Sequence, residues 1–244
     1  MKVKNIFILA ALSLTLASCS DLFEPAEENN RGLDEIYNEP TYAQGLLGYG
    51  YAMLPYNTKS VTDVATDDAV SNDLTNSYLK MATGSWTANS DPMSRWTSGR
   101  ACIQYLNIFL QEVDKVNWAK DENARKMYCD SRKGEAYALR ALNLYYLLMN
   151  HGGWTADGKL LGVPNLTEPE SSTDDFNKPR NTFQECLDQI YSDLDEAAKL
   201  LPLDYNDLTD DNAVPAKYKE IGVQTAGDYN RVFGTIMRGR ISGR

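Results

Sequence analysis

Apolar residues recur along this chain at the three-and-four spacing of a helix face, and the alternation of a half-buried strand is nearly missing. Tyr42, Leu46, Tyr49 and Met53 form a first run, opened by Asn38 and Pro40 and weakened by Gly45, Gly48 and Gly50. A second run, Trp96, Gly99, Ile103, Leu106, Leu110 and Val113, follows Asp91-Pro92, which is expected to open it, and puts Trp96 in the core. A third spans about Asp121 to Asn150, with Leu139, Leu142, Tyr146 and Met149 on one face, Tyr145 and Tyr146 read as core, and Gly152-Gly153 as the stop. The cleanest begins at Thr182 with Glu185 three residues on, a capping box, and continues through Phe183, Leu187, Ile190, Leu194, Ala197 and Leu201 to Pro202. A weaker helical pattern fills Asp228 to Arg244. The predicted fold class is mainly α, helical hairpins with long irregular loops.

The loops are residues 56–91, rich in Asn, Asp, Ser and Thr, together with 154–180 and 203–227. They exceed ordinary connections and suggest a scaffold that presents a surface.

The chain opens differently. Lys2 and Lys4 precede an apolar run from Ile6 to Leu16, the n-region and h-region of a secretory signal, too short to be a permanent membrane span. Leu16-Ala17-Ser18-Cys19 then resembles a lipobox, at which bacterial lipoproteins are cleaved so that the cysteine becomes the first residue and its thiol accepts diacylglycerol. The alternative is an ordinary signal whose cut site Cys19 happens to follow. On the lipoprotein reading, residues 1–18 are a signal peptide and Cys19 is an anchor for lipid, palmitate included.

Removing those residues takes away Lys2 and Lys4 and no acid, which leaves 22 basic against 34 acidic side chains, a net charge of −12. Nucleic acid is an unlikely partner for such a surface. Cys102, Cys129 and Cys186 are odd in number and lack C-x-x-C spacing, so they are expected as small buried hydrophobes.

Arg132-Lys133-Gly134-Glu135-Ala136-Tyr137-Ala138-Leu139-Arg140-Ala141-Leu142, continuing through Tyr145-Tyr146 to Gly152-Gly153 and then Gly162-Val163-Pro164, resembles the signature of the SusD/RagB family of outer-membrane lipoproteins. The family pattern is an R-x-E-A-x-x-L-R-A helix ending in G-G-V-P, and here residues 155–161, TADGKLL, interrupt that ending. DLDEAAKLLP, closing the helix at 183–202, and YNRVFGTIMRGRISGR at the end are similar to later family segments. The resemblance implies tetratricopeptide-like hairpins in an α-α superhelix, decorated by loops that bind glycan. It also implies a lid on a SusC-like TonB-dependent transporter, to which captured oligosaccharide is delivered, and lipid anchoring at the cell outer membrane with surface exposure. Family members run longer, so residues 19–244 are expected to be an N-terminal portion, with Val232, Phe233, Ile236, Met237 and Ile241 as an apolar face left uncovered.

Sugar capture needs an aromatic plate for the C–H face of a ring and polar partners for its hydroxyls. Trp86, with Asp67, Asp68, Asn72, Asn76 and Tyr78 nearby, supplies both, and Asp67, Asp68, Asn72, Tyr78 and Trp86 are the glycan-binding candidates. The competing reading is that Trp86 packs the loop onto the helices while the acids solvate it. Trp118 fits a core or a surface role.

Catalytic signatures are weak. No carboxylate pair is singled out for glycoside hydrolysis, and the sole histidine, His151, is read as supporting the C-terminal end of a helix dipole. Asp204, Asn206, Asp207, Asp210, Asp211 and Asn212 fail the calcium-loop spacing, since Leu208 takes a ligand position, so neither metal nor cofactor is expected. The favoured function is a non-enzymatic, surface glycan-binding lipoprotein; a helical-repeat adaptor for peptide or protein and, behind it, a glycoside hydrolase are the rivals.

Overall fold

The computed structural model describes residues 37–55, 62–202 and 207–241, and these lie within one unit, Ile36–Arg244. In order they form α1 (Pro40–Ala52), α2 (Leu79–Ala82), α3 (Trp96–Glu112), α4 (Glu122–His151), the strands β1 (Gly153–Trp154) and β2 (Leu160–Leu161), α5 (Phe183–Leu200), α6 (Ala216–Lys219) and α7 (Ala226–Ile241). Single 3-10 turns fall at Thr62–Ala65, Val113–Lys115 and Asp211–Ala213.

Long helices that follow one another run antiparallel, giving the expected tetratricopeptide-like hairpins. Arg95, before α3, donates to the Met53 carbonyl at the end of α1. Gly99 near the start of α3 faces Leu147 near the end of α4, and Gly134 of α4 faces Leu201 just after α5. A Cβ at Gly134 would stand 2.7 Å from Leu201 Cγ, so this glycine is what lets the two helices approach. Gly50, read from sequence as a weakness in α1, has the same use: its missing Cβ makes room for Leu106 and Leu139.

The helix starts follow local chemistry. Asp121 Oδ1 accepts the Ala124 N–H at 2.8 Å to cap α4. Thr182 and Glu185 form the predicted capping box on α5, the Thr182 hydroxyl accepting the Glu185 N–H at 3.2 Å and the Glu185 carboxylate the Thr182 N–H at 2.7 Å. For α3 the expected opening at Asp91-Pro92 is early. Asp91 Oδ1 accepts the Met93 N–H at 2.8 Å in a turn, and the helix begins at Trp96.

The buried faces depart from the apolar stripes. In α1 they are Ala43, Leu47 and Gly50, with Leu46, Tyr49 and Met53 only partly buried, a rotation of one residue. In α4, Leu139 is buried but Leu142, Tyr145 and Met149 are exposed, while Arg132, Glu135, Arg140 and Asn143 lie inside. The helix is packed by α1 and α3 on one side and by α5 on another, so polar residues reach the interior where partners wait. Trp96 is 40% exposed, its ring edge-on to His151 and beneath Arg100 instead of in the core. Leu194 of α5 is likewise exposed.

TADGKLL, the interruption in the family-like ending, forms a hairpin. Gly153 pairs with Leu161 and Trp154 with Leu160, and Gly158 takes φ 79° in the turn. Arg180 fastens its base, donating to the carbonyls of Gly162 (2.6 Å), His151 (2.9 Å) and Leu161 (3.0 Å).

Cys102, Cys129 and Cys186 are buried and free. Burial pushes the Cys102 and Cys129 thiols up to about 12. Trp118 is structural, donating from Nε1 to the Val113 carbonyl at 3.1 Å. In α7, Val232 and Phe233 pack with Tyr218, Tyr229 and Met127, which corrects the expectation of an uncovered face at those two positions. The side chains of Ile236, Met237 and Ile241, and the whole of residues 1–36 with Cys19, lie outside the described residues.

Candidate functional site

The segment between α1 and α3 is built from short-range polar contacts. Thr66 Oγ1 accepts the Asp68 N–H at 3.2 Å, Asp73 Oδ1 accepts the Thr75 hydroxyl at 2.6 Å and its N–H at 2.9 Å, and Asn76 Oδ1 accepts the Tyr78 N–H at 3.0 Å. Such bonds between a side chain and nearby backbone hold a loop without a core. The Thr75 contacts keep the Asp73 carboxyl below its ordinary range, so it is an ionised turn former. Lys80 Nζ donates to Ser90 Oγ at 2.6 Å, drawing α2 toward the tight turn after Trp86, where Thr87 bridges to Ser90.

Of the five candidates, Asp67, Asp68 and Asn72 are exposed, and Trp86 shows 51% of its surface on that turn. Tyr78 alone among them is partly buried and lines a cleft. That cleft, about 300 Å³, is lined by Pro55, Tyr78, Pro92, Met93, Ser94, Arg95, Tyr146, Met149 and Asn150. Four elements meet there: the chain after α1, the residue before α2, the turn that leads into α3, and the last turn of α4.

Arg95 is one of the lining residues. Its Nη2 donates to the Met53 carbonyl, its guanidinium lies 5.9 Å from the centre of the Tyr146 ring, and its Nε is shut off from solvent with no hydrogen bond. The Arg95 N–H donates to His151 Nε2 at 3.1 Å. Burial pushes the His151 ring below its ordinary value, which suits an acceptor. This corrects the dipole role expected for His151: a neutral ring at the end of α4 takes up an orphan N–H at the start of α3.

Sequence reasoning missed Arg95, Met149 and Asn150 as cleft residues and placed Tyr146 in the core. In the structure Arg132, Glu135, Arg140 and Asn143 are buried and Tyr145 and Met149 face outward, an orientation that no local sequence pattern signals. Asp210 and Asp211, from the acidic run, accept backbone N–H groups: Asp210 Oδ1 accepts the nearby Asn212 N–H at 2.9 Å, and Asp211 Oδ1 accepts the Ala226 N–H at 2.7 Å at the start of α7.

The model of the SusD-like family described as "starch-binding associating with outer membrane" matches residues 33–217. This chain belongs to that family. SusD-like protein P38 of Formosa agariphila is 26% identical over 224 residues, covering 85% of this chain and 40% of its own. A structure from Bacteroides vulgatus, of a protein named for proposed sugar binding, is 30% identical with a TM-score of 0.52 over 69% of this chain and 38% of that one. A SusD-like protein of Bacteroides fragilis shares the fold, with a TM-score of 0.56 at 19% identity, over 72% of this chain and 33% of that one. The chain therefore spans about two fifths of the length of the curated relative.

Proposed function

We propose that this chain is the glycan-capturing part of a lipid-anchored outer-membrane protein, which binds oligosaccharide at the cell surface and delivers it to a SusC-like TonB-dependent transporter. The role is binding, not catalysis. The observation that carries the reading is the segment 62–95, a stretch rich in Asn, Asp, Ser and Thr in which Trp86 is half exposed and Asp67, Asp68 and Asn72 are exposed. An open aromatic face with hydrogen-bonding neighbours is what a sugar ring requires, and a surface position lets a polymer cross the site without being enclosed. Membership in a family described by starch binding supports the same chemistry.

The test is retention of residues 19–244 on a glycan array that includes amylose. Wild type should retain at least one glycan without turning it over. Trp86→Ala should weaken retention by about 1 to 3 kcal/mol, the worth of apolar contact and stacking, with an unchanged circular dichroism spectrum. An insoluble Trp86→Ala protein would instead assign Trp86 to holding the loop on the helices.

A further inference from the structure

We propose that the cleft walled by Tyr78, Arg95, Tyr146, Met149 and Asn150 seats a single sugar ring of the captured glycan, with the Arg95 guanidinium as its fixed donor. The inference rests on the glycan-binding reading and names a seat for the ring apart from the exposed Trp86 turn.

Volume comes first. About 300 Å³ sits at the low end of small-molecule pockets, roughly 300–1,000 Å³, which fits one ring and leaves the rest of a chain outside. The chemistry of the wall is divided as a pyranose is divided. Tyr146, Pro55, Pro92 and Met149 offer apolar and aromatic surface, and Met149 is 60% exposed on a helix whose other large apolar residues include several fully buried ones. Tyr78, Ser94 and Asn150 offer a phenol, a hydroxyl and an amide, each able to donate and accept as ring hydroxyls demand.

Arg95 supplies the least explained feature. A guanidinium carries five N–H donors, and here only Nη2 is committed, to the Met53 carbonyl, while Nε is buried without a partner. Nε is closed to the cleft as it is to solvent, so a ring hydroxyl would meet the guanidinium at its remaining Nη donors. Its geometry is set in advance: the Met53 carbonyl fixes the head, the Tyr146 ring lies alongside, and His151 holds the Arg95 backbone. A donor already in place loses little freedom when the ligand arrives.

The experiment compares variants of residues 19–244 on the glycan array with amylose, scored on whichever glycan wild type retains. Met149→Arg, which puts a longer, charged side chain on the cleft wall, should abolish retention. Asn150→Ala and Tyr78→Phe should each weaken it about fivefold to tenfold, the worth of one hydrogen bond. Leu142→Arg, two turns back on the same helix and outside the cleft, should leave it unchanged, and circular dichroism should be the same for all four. Wild-type retention by folded Met149→Arg overturns the cleft as the seat and leaves the glycan-binding reading standing. Failure of wild type to retain any glycan overturns both, and loss of retention in Leu142→Arg equal to that in Met149→Arg overturns the cleft in favour of a wider surface of α4.

Discussion

Arg140 has the hydropathy of a surface residue and is 6% exposed. Its Nε and Nη2 donate to the two oxygens of Asp193 at 2.8 and 2.6 Å, and its Nη1 to Asn107 Oδ1 at 2.9 Å and the Thr167 carbonyl at 3.1 Å. Asn107 in turn donates to the carbonyls of Leu166 and Glu168. One guanidinium thus joins α3, α4, α5 and the extended chain after the hairpin. Buried ion pairs add little over a well-packed apolar pair, but breaking one strands a charge. Asp193→Ala should therefore cost about 3–5 kcal/mol in urea unfolding, whereas the double change Arg140→Met with Asp193→Leu should cost much less. Equal losses in the two would show that the network itself is the larger contribution. The sequence marked Arg140 through the signature it belongs to, yet its burial was not legible, because each partner lies far along the chain and no periodicity joins them.

At the scale of elements, what could be read was local. The capping box of α5 was visible because both halves lie within four residues, and α4 was placed almost to the residue by Asp121 and Gly152. Which face a helix buries was harder, since it depends on how many neighbours it has. α5 packs mainly along one side, so its stripe was right at Ile190 and Ala197 and in part at Phe183 and Leu187, with Leu194 exposed; α4 is held from several sides, so Leu142 and Met149 were misassigned. The cleft fell out of reach for the same reason, being made where four elements end. Its link between α3 and α4 gives a pH prediction. Burial lowers the His151 value, Arg180 lowers it further, and Asp91 raises it; Arg95 faces the ring through its N–H and Trp96 through its edge. The unfolded chain thus takes a proton near the ordinary value of 6.5 while the folded ring does not. Stability is complete above that pH and falls as pH drops below it, levelling once the folded ring is protonated. Since His151 is the sole histidine, denaturation midpoints between about pH 5.5 and 7.5 isolate it. His151→Gln, which keeps an acceptor that does not titrate, should flatten the profile, and an unchanged slope in that variant would exclude the ring as its source.

At the scale of the molecule, the proposed function turns on where the chain is held. The mature chain as read carries −12, a charge that an anionic lipid surface repels, so attraction to headgroups cannot keep it at a membrane. Attachment by lipid can, provided that more than one acyl chain is present, because a single chain binds marginally and reversibly. Diacylglycerol on Cys19 with a further acyl group meets that condition. Asp21 and Glu24 lie close behind Cys19 in the sequence, which fits surface exposure on the proposed lipoprotein reading. The expected outcome is that wild type expressed in a bacterium with lipoprotein processing incorporates labelled palmitate and sediments with outer membranes, and that protease added to intact cells removes it. Cys19→Ala should lose the label and move to the soluble fraction while folding as before, since the described cores are built from residues 43–233. Glycan retention by the released protein should equal that of wild type, whereas growth on the retained glycan should fail, because a captor that diffuses away cannot hand its cargo to a transporter fixed in the membrane. Undiminished label in Cys19→Ala would return the N-terminal segment to an ordinary secretory signal, and full growth of the unlabelled variant would separate glycan capture from delivery.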